Sequence, residues 1–273
     1  MDRKTLRKVQ LTQLEILKEV DRICTKYGIK YWLSGGTQLG AVRHNGFIPW
    51  DDDLDIDMMR EDFNRFLKIA RTELKESYYL QDWFTEKAYG LPFAKIRKNN
   101  TLFVEAGSQH SKSHHGIYVD IFAFDSFPED EKELKEVSFY MNYVYRVILA
   151  GCGYTPWYNG QGFSLKRWVI YLPIRLIAAF SNVQKLKEKY IKTVTKANGK
   201  KMGRVFNSCE PGDEKMPFDR GVVSRLERHT FEDGKFPVPV DYDTYLTTVY
   251  GNYMQLPPVD QRENRHNIIK LKL

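Results

Sequence analysis

From Asp53 to Met58 the chain alternates acid and apolar residue without a break: Asp53-Leu54-Asp55-Ile56-Asp57-Met58. A period of two is the period of a β-strand, so the three carboxylates share one face and Leu54, Ile56 and Met58 the other. Carboxylates crowded on one strand face repel one another unless a cation lies between them. Oxygen-only ligands that leave room for water and phosphate suit Mg²⁺, or Mn²⁺, better than Zn²⁺. An exposed edge strand with a solvated acidic face is the plainer reading. The unbroken alternation directly after Pro49-Trp50 argues against it.

The residues just upstream give that strand a context. Ile29 to Leu33 reads as a short strand, and Ser34-Gly35-Gly36-Thr37 as a turn into a helix running to Val42. Adjacent glycines let backbone N–H groups approach an oxyanion, and the helix start points its positive end at the same place. A phosphate cradle beside a divalent cation indicates phosphoryl chemistry on a nucleotide-type donor. Arg43 and His44 lie between this helix and the acidic strand, where Arg43 could hold a phosphate bidentately and His44 a phosphate oxygen or acceptor hydroxyl. Bracing of the Asn45-Gly46 turn is the other role open to them. Lys95 and Arg97 alternate on a later strand and could reach a diphosphate, or simply be solvated. His110, His114 and His115 fit no zinc spacing.

The run SGGTQLGAVRHNGFIPWDDDLDIDM resembles the signature of the LicD family, phosphotransferases built on the nucleotidyltransferase fold, with fukutin-related protein a more distant relative by the same acidic strand. The family pattern adds a third carboxylate on a later strand, best met by Asp120 in Val119-Asp120-Ile121. The stretch Val249 to Pro258, followed by Arg262 and His266, is also similar to the family. The resemblance implies an α+β nucleotidyltransferase fold, a mixed sheet flanked by helices, here with a helical insertion. It implies transfer of phosphocholine, or a similar phosphoryl alcohol, from CDP-choline or a related CDP-linked donor, with release of CMP. The acceptor would be a hydroxyl of a teichoic acid or other cell-surface glycan precursor, lipid-linked or soluble. In that reading Asp53 and Asp55 hold the metal and Asp120 holds a second metal or takes the acceptor's proton. Ser34, Gly35, Gly36 and Thr37, with Arg43, His44 and Lys95, bind substrate, and the carboxyl-terminal tail folds back toward the site. Transfer of a nucleoside monophosphate to a small hydroxyl compound is the main alternative. A metal-dependent glycosyltransferase and a non-catalytic choline- or lipid-binding module rank behind it. A choline donor would also need an aromatic cage, for which Trp50, Trp83 and Trp157 are candidates.

At 273 residues, 42% hydrophobic and 14% aromatic, the chain can bury a sizeable core and is not disordered. Cys24, Cys152 and Cys209 are odd in number and widely spaced, which fits neither a disulfide framework nor a zinc site. With no apolar h-region near Met1, a cytoplasmic location is expected, possibly peripheral on the inner face of the plasma membrane. The most apolar stretch, Trp168 to Phe180, is broken by Pro173 and Arg175, short of the roughly 18 uncharged residues of a span. A net charge of +7 with dispersed basic residues and no recognition motif points away from nucleic acid and toward anionic lipid or a polyanionic precursor.

Periodicity predicts helices over 3–27, 60–75, 131–150 and 242–250, the last capped by Asp241 and stopped by Gly251. Strands are expected at 78–81, 93–97, 101–105 and 117–122, with Asn99-Asn100 turning between the second and third. Residues 225–231 and 235–240 read as a hairpin. The expected organisation is a catalytic core over 1–129, a helical insertion over 130–205 with a loop at 151–162, and a carboxyl-terminal part, 206–273, completing the core. Residues 185–204 carry Lys185, Lys187, Lys189, Lys192, Lys196, Lys200, Lys201 and Arg204 against one Glu188. Such a run is ordinarily a solvated helix face; beside the apolar 168–180 segment it also suggests contact with an anionic membrane.

Overall fold

The computed structural model describes residues 1–155, 165–200, 202–264 and 266–273. Trp157, the rest of the loop beyond residue 155, and Lys201 lie outside them.

The chain opens with α1 (Arg3–Tyr27), whose first turn Asp2 caps by accepting from the Thr5 amide at 2.9 Å. Gly28, at φ 61°, ends it in the left-handed conformation that a Cβ would penalise. Then come β1 (Trp32–Leu33), α2 (Gly35–His44), β2 (Asp55–Met59), α3 (Arg60–Glu73), β3 (Tyr78–Gln81), β4 (Ala94–Lys98), β5 (Leu102–Glu105) and β6 (Tyr118–Ser126). A helical section follows: α4 (Glu131–Phe139), α5 (Tyr145–Gly151), α6 (Leu165–Ile170), α7 (Leu172–Phe180) and α8 (Val183–Val194). The last part holds β7 (Arg204–Asn207), β8 (Phe218–Asp219), α9 (Arg220–Ser224), β9 (Leu226–Phe231), β10 (Gly234–Pro239), α10 (Tyr242–Tyr250) and β11 (Ile268–Lys272). The architecture is α+β, a mixed sheet flanked by helices.

The sheet runs β1-β2-β6-β4-β3, with β2 and β6 parallel and β1, β4 and β3 antiparallel to their neighbours. All nine residues of β6 are buried. Its first half pairs with β4 and its last three residues with β7, while β2 lies along its other side. An apolar stripe of α1 (Val9, Ile16, Leu17, Val20, Ile23) packs with Ile56, Met58, Ile96 and Ile121 of the sheet and Phe66 of α3. A second core gathers Met141, Ile148 and Leu149 of the helical section with Tyr190 of α8, Trp83, Tyr89 and Phe206 of β7. Burial of this kind is worth about 1.5–3 kcal/mol per large apolar side chain.

Two expectations change. The turn at Asn99-Asn100 is present, with Asn100 at φ 65°, but the strands beside it do not form a hairpin. β4 pairs within the main sheet, whereas β5 pairs with the carboxyl-terminal β11. The helix expected over 131–150 is interrupted by a wider π turn at Tyr140–Val144. Among the described residues no helix is long and apolar enough to cross a membrane.

Candidate active site

The site forms where β1 ends and α2 begins. Ser34 precedes α2 in extended conformation, and its amide donates to the Asp55 carbonyl at 3.0 Å, tying the turn to β2. Gly35 opens the helix at φ +45°, a conformation side chains resist. A Cβ on Gly36 would meet Asp51 Oδ2 at 2.8 Å, so a carboxylate lies against the positive end of α2. Thr37, buried, spends its Oγ1 as acceptor of the Asp55 amide at 2.9 Å. It fixes β2 against α2.

A cavity of about 260 Å³ opens here, walled by Ser34, Gly35, Gly36, Asp51, Asp53 and Asp55 on one side. Asn207, Glu210, Asp213 and Tyr245 close the other. The register of the sheet sets Asp55 beside Asp120 and Asp120 beside Lys95, a row of three ionisable groups on one face. Burial, then the charges of Asp53, Asp120, Glu210 and Asp51, push the Asp55 carboxyl well above its ordinary range. Asp120 rises to about 6: burial pushes it up and Lys95 holds it down. Glu210 stands open to solvent, yet partial desolvation in the cleft and the charges of Asp213, Asp120 and Asp53 take it up to about 7.

Asp51, Asp52 and Asp53 each offer a carboxylate oxygen within 4.8 Å of the other two, which among the described residues no other such group of three does. The loop carrying them is pinned to α1, where Gln10 Nε2 donates to the Asp51 carbonyl and Gln13 Nε2 to the Asp52 carbonyl, both at 2.9 Å. Asp52 is fully buried; its Oδ1 bonds His266 Nδ1 at 2.9 Å while its Oδ2 has no hydrogen-bond partner. Burial works against a charge on His266, but Asp52, Glu105 and Asp53 outweigh it and raise its pKa to about 9. The tail thus folds back as expected, delivering a cationic imidazole to the acidic loop. An all-oxygen donor set with mutual repulsion and one unpartnered buried oxygen fits Mg²⁺ or Mn²⁺.

Several expected site residues sit elsewhere or are already engaged. Lys95 is buried, with Nζ 2.6 Å from Asp120 Oδ1 and 3.3 Å from the centre of the Tyr118 ring, and is held by Asp120. Arg97 is buried too, donating to the Gly116 carbonyl at 2.6 Å and to Gln81. Neither is a solvated surface residue. Arg43 and His44 end α2, about 12–13 Å from its start at 1.5 Å per residue. Arg43 Nη1 donates to the Tyr253 carbonyl at 2.6 Å and its Nε to His44 at 3.0 Å, so this pair braces the chain after α10. Trp83 belongs to the second core, and Trp50 lies under the Arg262 guanidinium at 5.4 Å, so neither contributes to a cage in the cleft. A larger cavity of about 1390 Å³ lies between the start of α1, Trp50 and the tail, and Gln10 and His266, which touch the acidic loop, line it.

Sequence reading missed Glu210, Asp213 and Tyr245. The two acids lie in a turn, Cys209-Glu210-Pro211-Gly212-Asp213, that carries no periodicity. Tyr245 is one apolar position of an amphipathic helix, yet its Oη lies 3.2 Å from Ser34 Oγ and 3.3 Å from both the Gly35 amide and Asp57 Oδ2.

Residues 28–147 match the family model described as LicD/FKTN/FKRP, nucleotidyltransferase domain. The whole chain is similar to a bacterial transferase: it is 31% identical over 270 residues to lipopolysaccharide cholinephosphotransferase LicD of Haemophilus influenzae, covering 97% of each. The chain belongs to the LicD family of transferases. A stretch of 97 residues, 36% of this chain and 17% of the other, is 32% identical to human ribitol 5-phosphate transferase FKRP. An uncharacterised protein of Rickettsia prowazekii is 36% identical over 122 residues, 45% of this chain and 42% of that one.

Proposed function

We propose that this protein moves phosphocholine, or a similar phosphoryl alcohol, from a CDP-linked donor to a hydroxyl of a teichoic acid or other cell-surface glycan precursor, releasing CMP. The observation that carries the reading is the convergence of Asp51, Asp53 and Asp55 on the start of α2 inside one cleft. Relatives named as a cholinephosphotransferase and a ribitol 5-phosphate transferase support a transferred group of this chemical type.

In this mechanism Asp53 and Asp55, with Asp51 beside them, would hold Mg²⁺, which supplies neutralisation of charge developing on the diphosphate. The Gly36 amide orients phosphate oxygens at the start of α2. Tyr245 Oη bonds Ser34 Oγ and accepts from the Gly35 amide, which fixes that turn. The acceptor hydroxyl attacks the phosphorus on the alcohol side and gives up its proton to a carboxylate. Lys95 on Asp120 competes with any cation there, which favours proton transfer over metal binding for Asp120. Glu210, lining the cleft with a pKa raised to about 7, is the other group suited to that proton.

The test is purified protein with Mg²⁺, a glycan acceptor and a panel of CDP-linked alcohols, followed by detection of CMP and of the modified acceptor. Acceptor-dependent CMP release with one donor fixes the transferred group. Pyrophosphate released from a nucleoside triphosphate, with no CMP from any donor, would replace this reading with nucleotidyl transfer.

A further inference from the structure

Helices α6 and α7 read LKRWVI and LPIRLIAAF. A helix apolar on nearly every side belongs in a core or in lipid. Yet α6 buries no residue and α7 only Ala178. Val169, Ile170, Leu176 and Ile177 are each more than half exposed and Phe180 is 91% exposed. Large apolar side chains left exposed on two consecutive helices mark an interaction site.

Charge says what covers it. Between Leu165 and Val194 the chain carries Lys166, Arg167, Arg175, Lys185, Lys189 and Lys192 at or near the surface, with Glu188 the one acid. The longer basic run is less available than its sequence suggests. Lys187 is buried, its Nζ donating to the Lys87 and Tyr89 carbonyls at 2.9 and 2.7 Å. Lys196 and Lys200 pair with Glu133, and Arg204 with Glu129. Lys166 and Arg175 lie on α6 and α7 themselves, and Lys185, Lys189 and Lys192 on the helix that follows them. Trp168 lies under the Arg175 guanidinium at 5.2 Å, an aromatic–basic pairing suited to headgroup depth.

We propose that α6 and α7 seat the protein on an anionic lipid bilayer, with Val169, Ile170, Leu176, Ile177 and Phe180 entering the headgroup–acyl boundary and these cations meeting lipid phosphates. Apolar burial and basic charge are the two signals that reversible interfacial binding requires. A second copy of the chain is a poorer occupant, because a two-fold contact sets the same basic surface against itself. The seat is joined to the cleft wall: Tyr190 of α8 donates to the Ser208 carbonyl at 2.8 Å, two residues from Glu210. If the acceptor is carried on lipid, a point that rests on the function proposed above, the same seat would bring enzyme and acceptor to one membrane.

The experiment uses the full chain with vesicles of phosphatidylcholine alone and of phosphatidylcholine mixed with phosphatidylglycerol, at low and high salt. Co-sedimentation is expected with the anionic vesicles at low salt, falling sharply at high salt. Phe180→Ser and Ile177→Ser should each lower partition about tenfold, as expected for a large apolar side chain withdrawn from lipid. Lys185→Gln with Lys189→Gln should weaken it further and flatten its salt dependence. Brominated lipid should quench tryptophan emission, and Trp168→Phe should remove most of that quenching, a readout independent of how much protein sediments. Protein left in the supernatant under all four conditions overturns the proposal. So does a concentration-dependent dimer abolished by Phe180→Ser, which would give this face to a second copy. Neither outcome bears on CMP release from a soluble acceptor, so failure here and failure of the transfer reaction are distinguishable.

Discussion

Replacing Asp57 by asparagine should make the protein more stable as pH rises, by an amount that grows linearly with pH. Asp57 is fully buried on β2, with Oδ2 3.3 Å from Tyr245 Oη and Oδ1 without a hydrogen-bond partner. Burial pushes its pKa from 3.8 up to about 8, the bonds from Ser34 and Tyr245 holding it lower than burial alone would. The folded state therefore binds the proton more tightly than the unfolded chain. Its stabilising effect is complete below 3.8 and is lost as pH climbs to about 8, at about 1.4 kcal/mol per pH unit. By neutral pH the loss is on the order of 4 kcal/mol, a large fraction of a domain's stability. Asparagine keeps the shape and has no proton to lose. Any cost of burying its amide is independent of pH, so the slope of the difference, and not its offset, is the signal. Urea denaturation followed by fluorescence, with a chelator present, at about pH 5, 6 and 7 measures it. A wild-type-to-D57N difference that is flat across that range would mean Asp57 titrates normally and would refute the reasoning.

The other predictions concern charge in the same cleft. Asp53→Asn or Asp55→Asn should lower transfer at least ~10²-fold, as loss of a group that stabilises charge in the transition state does, while the melting temperature without divalent cation holds or rises. Mg²⁺ at about 100 times its Kd should add about 2.7 kcal/mol to the wild-type protein and much less to these variants; equal gains would place the ion elsewhere. Lys95→Met should cost about 3–5 kcal/mol at neutral pH by stranding the Asp120 carboxylate, and adding Asp120→Asn should recover much of it. If the double variant is no better than K95M, packing against Tyr118 and not charge is what Lys95 supplies. His266, raised from 6.5 to about 9, should stabilise fully below 6.5 and lose that contribution as pH passes about 9. His266→Gln should remove this pH dependence in thermal melts.

What could be read from the sequence was local in origin. A period of 3.6 with Gly28 at its end specifies α1, and Asp241 and Gly251 bracket α10 for the same reason, because caps act within one turn of the residues they satisfy. Alternation likewise put Asp55 and Asp57 on one face of β2, although the strand begins only at Asp55 and leaves Asp53 in the loop before it. Partners set by topology left no such mark. Lys95 meets Asp120 because β4 lies against β6, and β5 leaves β4 for β11 more than 160 residues later. Lys187 is withdrawn from a basic run by two carbonyls about 100 residues earlier.

Asp57 shows why a correct face is not yet a site. It shares the face of Asp55, but Tyr245 covers it, while Asp53 and Asp55 open to the cavity. Where the cleft ends along β2 is therefore decided by a helix 188 residues further along the chain, whose own pattern announces only an apolar face. The same tyrosine bonds the Ser34–Gly35 turn, so a single side chain separates the carboxylate kept protonated by burial from those that open to the cavity. Tyr245→Phe should accordingly disturb the turn and Asp57 together, which links the stability of β2 to the geometry of the Ser34–Gly35 end of the cleft.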